Sequence, residues 1–432
     1  MEHVSKELDL FSRLPTDLSI GDHFYVKYPC RNALDGGDVD LIDITVSPDK
    51  SHYTDLNGSY LVVEGKYVKR EGNAKIPAAP NVGPINNLPN SLWKSVNIWY
   101  NNKKVTPPEQ HQNYIDYLYK LMDPKEIQDA QHSLAMFYLD DFSSVTKCNQ
   151  SDPQANADIN AALKHRAAFF GESRNCRMIT KLYTPPHLSK RYLLPNVRLD
   201  YQLEKAPFNF YTMQAKANQP DDMYKFIMTD CYMLIKRVAV NPAIMMAHAK
   251  LLESNNAIYP VKYLQSRSQE IPKNAYGFKF MNVFQGNKMP TSLLIGIVKS
   301  KALKGDLREN PYLFCEANLQ ELKVSLGSKV LPTVPYQIDT GKFMTELALL
   351  DTYQSIGAMH SKKEVGALTR DSHNNGMFLL GFDLTRDGAP DAEWSNSNFD
   401  SSSINVEGIF SEPAAENYQG IFITTFPFQT YI

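Results

Sequence analysis

Apolar and polar residues alternate with a period of two in short runs along most of this chain. The runs are closed by Gly, Pro, Asn or Asp. That period marks half-buried strands. The clearest run lies within VGPINNLPNSLWKSVNIWYNNKKVTPP, residues 82–108. Val96, Ile98 and Tyr100 share one face, and Ser95, Asn97 and Trp99 the other. Asn101-Asn102 is a turn pair, and Lys103 to Val105 leads into a double proline. The segment predicts a strand, a tight hairpin turn and a return strand.

Further strands are predicted at 23–29, 40–46, 59–69, 177–185 and 197–205. In the last, Val197, Leu199, Tyr201 and Leu203 alternate with Arg198, Asp200, Gln202 and Glu204, one face dry and one wet. YKFIMTDCYMLIKRVAV (224–240) reads as another strand run, and SLLIGIVKS (292–300) as a strand buried on both faces. A period near 3.6 appears twice. EQHQNYIDYLYKLM (109–122) carries Tyr114, Ile115, Leu118 and Leu121 on one helical face. NPAIMMAHAKLLESN (241–255) opens on Asn241 as N-cap and Pro242 at the first helical position. Its inward stripe is Ile244, Met245, His248, Leu251 and Leu252.

The polar runs 140–162 and 386–404 read as surface loops, and residues 1–20 as an arm in which Leu8, Leu10 and Phe11 can dock elsewhere, a neighbouring subunit being the place considered. AKANQPDD at 215–222 is a polar, proline-bearing linker near the midpoint. It places the domains at 21–215 and 216–432, consistent with 432 residues being too many for one ordinary core. NLQELKVSLGSKVLPTVP (318–335) repeats the opening pattern: Leu322, Val324 and Leu326 take the places of Val96, Ile98 and Tyr100. KFMTELALL (342–350) follows it as NYIDYLYKL (113–121) follows the first. Two echoes in order, about half the chain apart, suggest a duplicated domain.

Composition adds mainly exclusions. Charged residues make up 21%, with 26 Pro, 24 Tyr and 21 Phe, a β-rich globular profile. The net charge of −2 argues against a surface devoted to non-specific nucleic-acid binding. Cys30, Cys148, Cys176, Cys231 and Cys315 are an odd set with no C-x-x-C, which fits free thiols in a reducing compartment. No apolar run is long enough to span a membrane. The first residues are charged where a signal peptide is apolar, so synthesis in the cytosol is expected.

No phosphate loop, nucleotide fingerprint, nucleophile elbow or zinc-protease helix is present. Asp35, Asp38, Asp40 and Asp43 are the best metal candidate, but alternation splits them between faces, and a solvated turn entering a strand is the favoured reading. His248 is expected to be a core or interface histidine with one hydrogen bond, and Met245-Met246 to fill gaps. Lys164, His165 and Arg166, and Lys190 and Arg191, are basic spots near loops. They read as solvated charges, with nucleic-acid contact as the sharper alternative. No catalytic, cofactor-binding or metal residue is assigned.

Several stretches go further than pattern. The 82–108 segment resembles one in the major capsid proteins of Maverick/Polinton elements and their adintovirus relatives. So do SKELDLFSRLPTDLSI (5–20), HYTDLNGSYLVV (52–63) and LKHRAAFFG (163–171). The most specific piece is IKRVAVNPAIMMAHAKLLESNNAIYPV (235–261), followed by NVFQGNKMPTSLLIGIVKSKALKGDLRENPYLF (282–314) and FLLGFDLTRDG (378–388). The blocks stand in family order over most of the chain. The ending YQGIFITTFPFQTYI departs from the family's usual acidic tail.

The resemblance implies an all-β double jelly-roll, two tandem eight-stranded antiparallel sandwiches with short helices in the connections. It implies a non-enzymatic building block without cofactor. Its homotrimers form pseudo-hexagonal tiles of an icosahedral shell around double-stranded DNA, located in the virion. Expected partners are further copies of the chain, a single jelly-roll penton-type protein and minor capsid proteins, with no sequence-specific DNA contact. The rivals are a tandem jelly-roll carbohydrate-binding protein, which needs an aromatic platform or a calcium site, and a cupin-type metal enzyme, which needs converging histidines.

Overall fold

The structure is a computed structural model. It describes residues 18–34, 39–140, 160–214, 223–284, 290–327, 329–333, 336–339, 342, 344–358, 367–388, 390 and 403–431. Most of the expected arm, Asp35, Asp38, most of the 140–162 and 386–404 loops, and the 215–222 linker lie outside the described residues.

The strands are β1 (Ile20–Pro29), β2 (Leu41–Val46), β3 (Tyr53–Lys69), β4 (Val82–Pro84), β5 (Trp93–Tyr100), β6 (Lys103–Lys104), β7 (Cys176–Thr180), β8 (Leu199–Lys205), β9 (Thr212–Gln214) and β10 (Tyr224–Val240). There follow β11 (Ile258–Ile271), β12 (Gly277–Phe280), β13 (Ser292–Lys299), β14 (Leu319–Leu326), β15 (Lys329–Leu331), β16 (Leu379–Asp383), β17 (Ile404–Phe410) and β18 (Tyr418–Tyr431). They form four-stranded sheets in the orders β1-β10-β3-β7, β2-β8-β5-β6, β11-β18-β13-β16 and β12-β17-β14-β15, with β4-β9 as a small fifth. With β4 and β9 set aside, the first two orders map strand for strand onto the second two. The chain is one sandwich topology used twice.

The opening hairpin forms as its pattern predicts. Val96, Ile98 and Tyr100 are buried, each worth about 1.5–3 kcal/mol of apolar transfer. Tyr100 pairs with Lys103 across Asn101 and Asn102, both at positive φ (45° and 73°). Consecutive left-handed residues match the turn to the strand twist, and asparagine tolerates them. In the second copy Gly327 takes the positive φ.

The boundary at 215/216 is corrected by pairing. That boundary puts Tyr224–Val240 in the second half, but the strand runs antiparallel to both β1 and β3, between them in the first sandwich's sheet. The first sandwich's hydrogen bonding therefore extends to Val240. A helix, Pro242–Leu252, leads from there to β11.

The strand registers give the molecule two distinct ends. Ile20 pairs with Val240, and Ile258 with Tyr431, so Ser19, the linker helix and Tyr431 gather at one end, here called the base. Connections 70–92, 105–175, 300–318 and 332–378 leave from the opposite end, which includes the two longest, while 181–198 and 384–403 leave from the base. In the connection 332–378, helix Glu346–Ser355 lies close on β16. A Cβ on Gly381 would stand 2.7 Å from Thr352 Cα, so only glycine allows the approach. One apolar core fills the second sandwich. The other fills the first and continues into the seam between the two.

Candidate functional site

The seam is built around helix Gln112–Leu121, where nine of ten residues are buried, Asp116 and Lys120 among them. The Lys120 ammonium donates to Asn87 Oδ1 (2.6 Å), Asn90 Oδ1 (2.8 Å) and Thr180 Oγ1 (2.8 Å). Asp116 accepts from Asn90 Nδ2 (2.9 Å) and Gln112 Nε2 (2.7 Å). Burial pushes the Asp116 carboxyl up and the Lys120 ammonium down. Three acceptors around Lys120 and two amide donors on Asp116 oppose that push by solvating the ionic forms.

Aromatic and polar groups carry the seam to the second sandwich. The Tyr117 ring stacks on Tyr312. Tyr114 Oη donates to Pro311 O (2.8 Å), and Tyr312 Oη meets Ser91 Oγ (2.6 Å). Glu109 accepts from Ser266 N (2.8 Å). Arg166 is fully buried: it donates to Pro84 O, Tyr138 O and Asp140, and Asn310 Nδ2 donates to the same carboxylate at 3.2 Å. This corrects the expectation for Arg166: it is neither the solvated charge nor the nucleic-acid contact that its place near a loop suggests. These groups are closed off from solvent. Their arrangement ties the two sandwiches together, and beside it a cleft of about 490 Å³ lies between Tyr119 and Met122 of the first and Leu264 and Leu294 of the second.

Burial disfavours the thiolate at each described cysteine. Burial pushes Cys176 up to about 11 and Cys315 up to about 12, and Cys231 also upward. Cys30, Cys176, Cys231 and Cys315 are free, and Cys148 lies outside the described residues. Among the described residues no group of three or more His, Cys, Asp or Glu is placed to hold a metal. Asp43 lies within β2, and Asp40 immediately precedes it.

The base carries the surface that does call for a partner. Helix Pro242–Leu252 forms with Asn241 Oδ1 accepting from Ala243 N (3.0 Å), as its sequence predicts. Its stripe, however, is not buried: no residue of the helix is. Leu251 is 58% exposed and Met246 69%, so the methionine pair does not fill a core gap. His248 is exposed and makes one hydrogen bond, to Tyr53 Oη (2.9 Å); the single bond is as expected, the core placement is not. The helix stands off the first sandwich, with a cleft of about 590 Å³ on one side, lined by Tyr53, Arg191, Tyr192, Leu251 and Tyr259, and one of about 520 Å³ on the other. Lys190 and Arg191 are exposed at its edge. Large uncovered apolar surface of this kind marks an interaction site.

The sandwich topology and its duplication match known capsid proteins over the whole chain. A chain of the Sputnik virophage superposes with a TM-score of 0.65 at 11% identity, covering 99% of this chain and 90% of that one. The fold is a double jelly-roll. The mavirus major capsid protein shares it with a TM-score of 0.53 at 10% identity, covering 100% and 91% of the two chains. The Faustovirus major capsid protein does so with a TM-score of 0.56 at 9% identity, covering 100% and 93%. By sequence, an uncharacterized Caenorhabditis elegans protein is 22% identical over 358 residues, 77% of each chain. No protein-family model matches. No helix among the described residues is long and apolar enough to cross a membrane.

Proposed function

We propose that the chain is a structural major capsid protein of the Maverick/Polinton and adintovirus type, without catalytic activity. The observation that carries this reading is the repeated eight-strand order. Two complete jelly rolls are joined through one buried seam, and the likeness to capsid proteins runs from end to end rather than over one half. In this reading three copies form a pseudo-hexagonal tile, because each copy supplies two near-equivalent rolls and closed rings need complementary faces. Tiles pave an icosahedral shell around double-stranded DNA, and a separate single jelly-roll protein fills the vertices.

The two ends of the molecule support a radial orientation. The end with the two longest connections faces outward, and the base, with the linker helix, faces the shell interior. The mixed charge, 45 basic against 47 acidic residues, suits a wall that tolerates DNA without gripping it.

Negative-stain images of the purified protein test the reading. Hexagonal tiles or shells are expected. A monomer whose melting temperature rises with glycan or calcium would replace it with the carbohydrate-binding alternative.

A further inference from the structure

We propose that the cleft under the linker helix is the docking site for this chain's own N-terminal segment, residues 4–17. The inference does not depend on the capsid reading. It starts from an anomaly: an eleven-residue helix of sequence PAIMMAHAKLL with no buried residue. Exposing that much apolar surface is costly in water, and a covering group removes the cost.

The entry point selects the occupant. Asn241, the helix N-cap, donates from its backbone N–H to Ser19 O (2.9 Å) and from Nδ2 to Leu18 O (3.5 Å). Ser19 and Ile20 themselves line the cleft. The chain therefore comes to the cleft's edge at the helix N-terminus. Leu14 stands four residues before Leu18, within about 14 Å of extended chain, and Leu8 within about 36 Å. The helix is only about 16 Å long, so the segment spans it without help from another molecule.

Chemistry agrees with reach. Val4, Leu8, Leu10, Phe11 and Leu14 supply apolar side chains for Ile244, Leu251 and Leu252. The cleft's charged lining is Lys190 and Arg191, with no carboxylate among the lining residues. The segment brings Glu7, Asp9 and Asp17 together with Lys6 and Arg13, a net charge of −1. Its carboxylates have only cations to meet at the cleft's edge.

The test uses the full chain. Phe11→Cys combined with Leu251→Cys is oxidised and mapped by mass spectrometry, with Phe11→Cys plus Tyr276→Cys as the distant control. A disulfide joining positions 11 and 251 within one chain, well above the control, is expected. In parallel, Leu8→Asp with Phe11→Asp should speed amide exchange of residues 244–252 roughly tenfold. Cross-linking no better than the control, or unchanged exchange, overturns the proposal. So does a link found only between differently isotope-labelled chains, which would make a second copy the occupant.

Discussion

Tyr117 of the first roll lies flat on Tyr312 of the second, with ring centroids 4.0 Å apart and planes within 3° of parallel. Both rings are fully buried, and Tyr312 Oη also reaches Ser91 Oγ in the first roll. One side chain thus ties the rolls together by stacking and by a hydrogen bond. Tyr312→Ala should lower the stability to denaturant by about 3–5 kcal/mol, the cost of an aromatic cavity. Tyr312→Phe keeps the ring and should lose only about 1 kcal/mol, the net value of the hydrogen bond. Equal losses in the two variants would mean that stacking does not hold the seam.

Lys120 locks the seam helix to its own roll, since all three of its acceptors belong to the first sandwich. Lys120→Met fits the space but leaves Asn87 Oδ1, Asn90 Oδ1 and Thr180 Oγ1 without their donor and Asp116 without a nearby cation. A loss of about 3–5 kcal/mol is expected by chemical denaturation. Lys94→Met, on an exposed ion pair with Glu204, should change little in the same assay.

His187 gives the fold an acid limit. It is fully buried between Thr184 Oγ1 (2.9 Å) and the Tyr201 ring, and burial pushes its pKa down from 6.5 to about 3. The unfolded chain binds the proton first. The stability due to neutral His187 is therefore complete above pH 6.5 and is lost as the pH falls from 6.5 towards 3. The slope due to this group approaches about 1.4 kcal/mol per pH unit. His187→Gln should flatten the stability–pH curve in that window, and an unchanged slope would show that the histidine is not buried neutral.

The Asn101-Asn102 turn makes a local prediction. Asn102→Val places a β-branched residue at positive φ and should cost about 1–2 kcal/mol, whereas Asn102→Gly should be neutral or slightly stabilising. Thermal melts of the two variants distinguish them directly.

How much of this was legible beforehand depends on range. The hairpin at 93–104 could be read because its alternation and turn chemistry are local, and the cap at Asn241 for the same reason. The membership of Tyr224–Val240 could not: its residues say strand, but its partners β1 and β3 lie far back in the chain. The burial of Lys120 and Arg166 is not legible either, since a basic residue carries no local sign that distant amide, hydroxyl and carbonyl oxygens will surround it. The linker helix misled in the opposite direction. Its apolar stripe was read as facing the core, yet a stripe specifies only that something must cover it. Met245, Met246 and His248 would have signalled an interaction surface only if the absence of a covering element had been known.

The most direct test of the account is the mass of the purified protein by light scattering across a range of concentrations. Three times 49.0 kDa, or larger multiples of that unit, is the predicted result. A folded monomer at every concentration would contradict it.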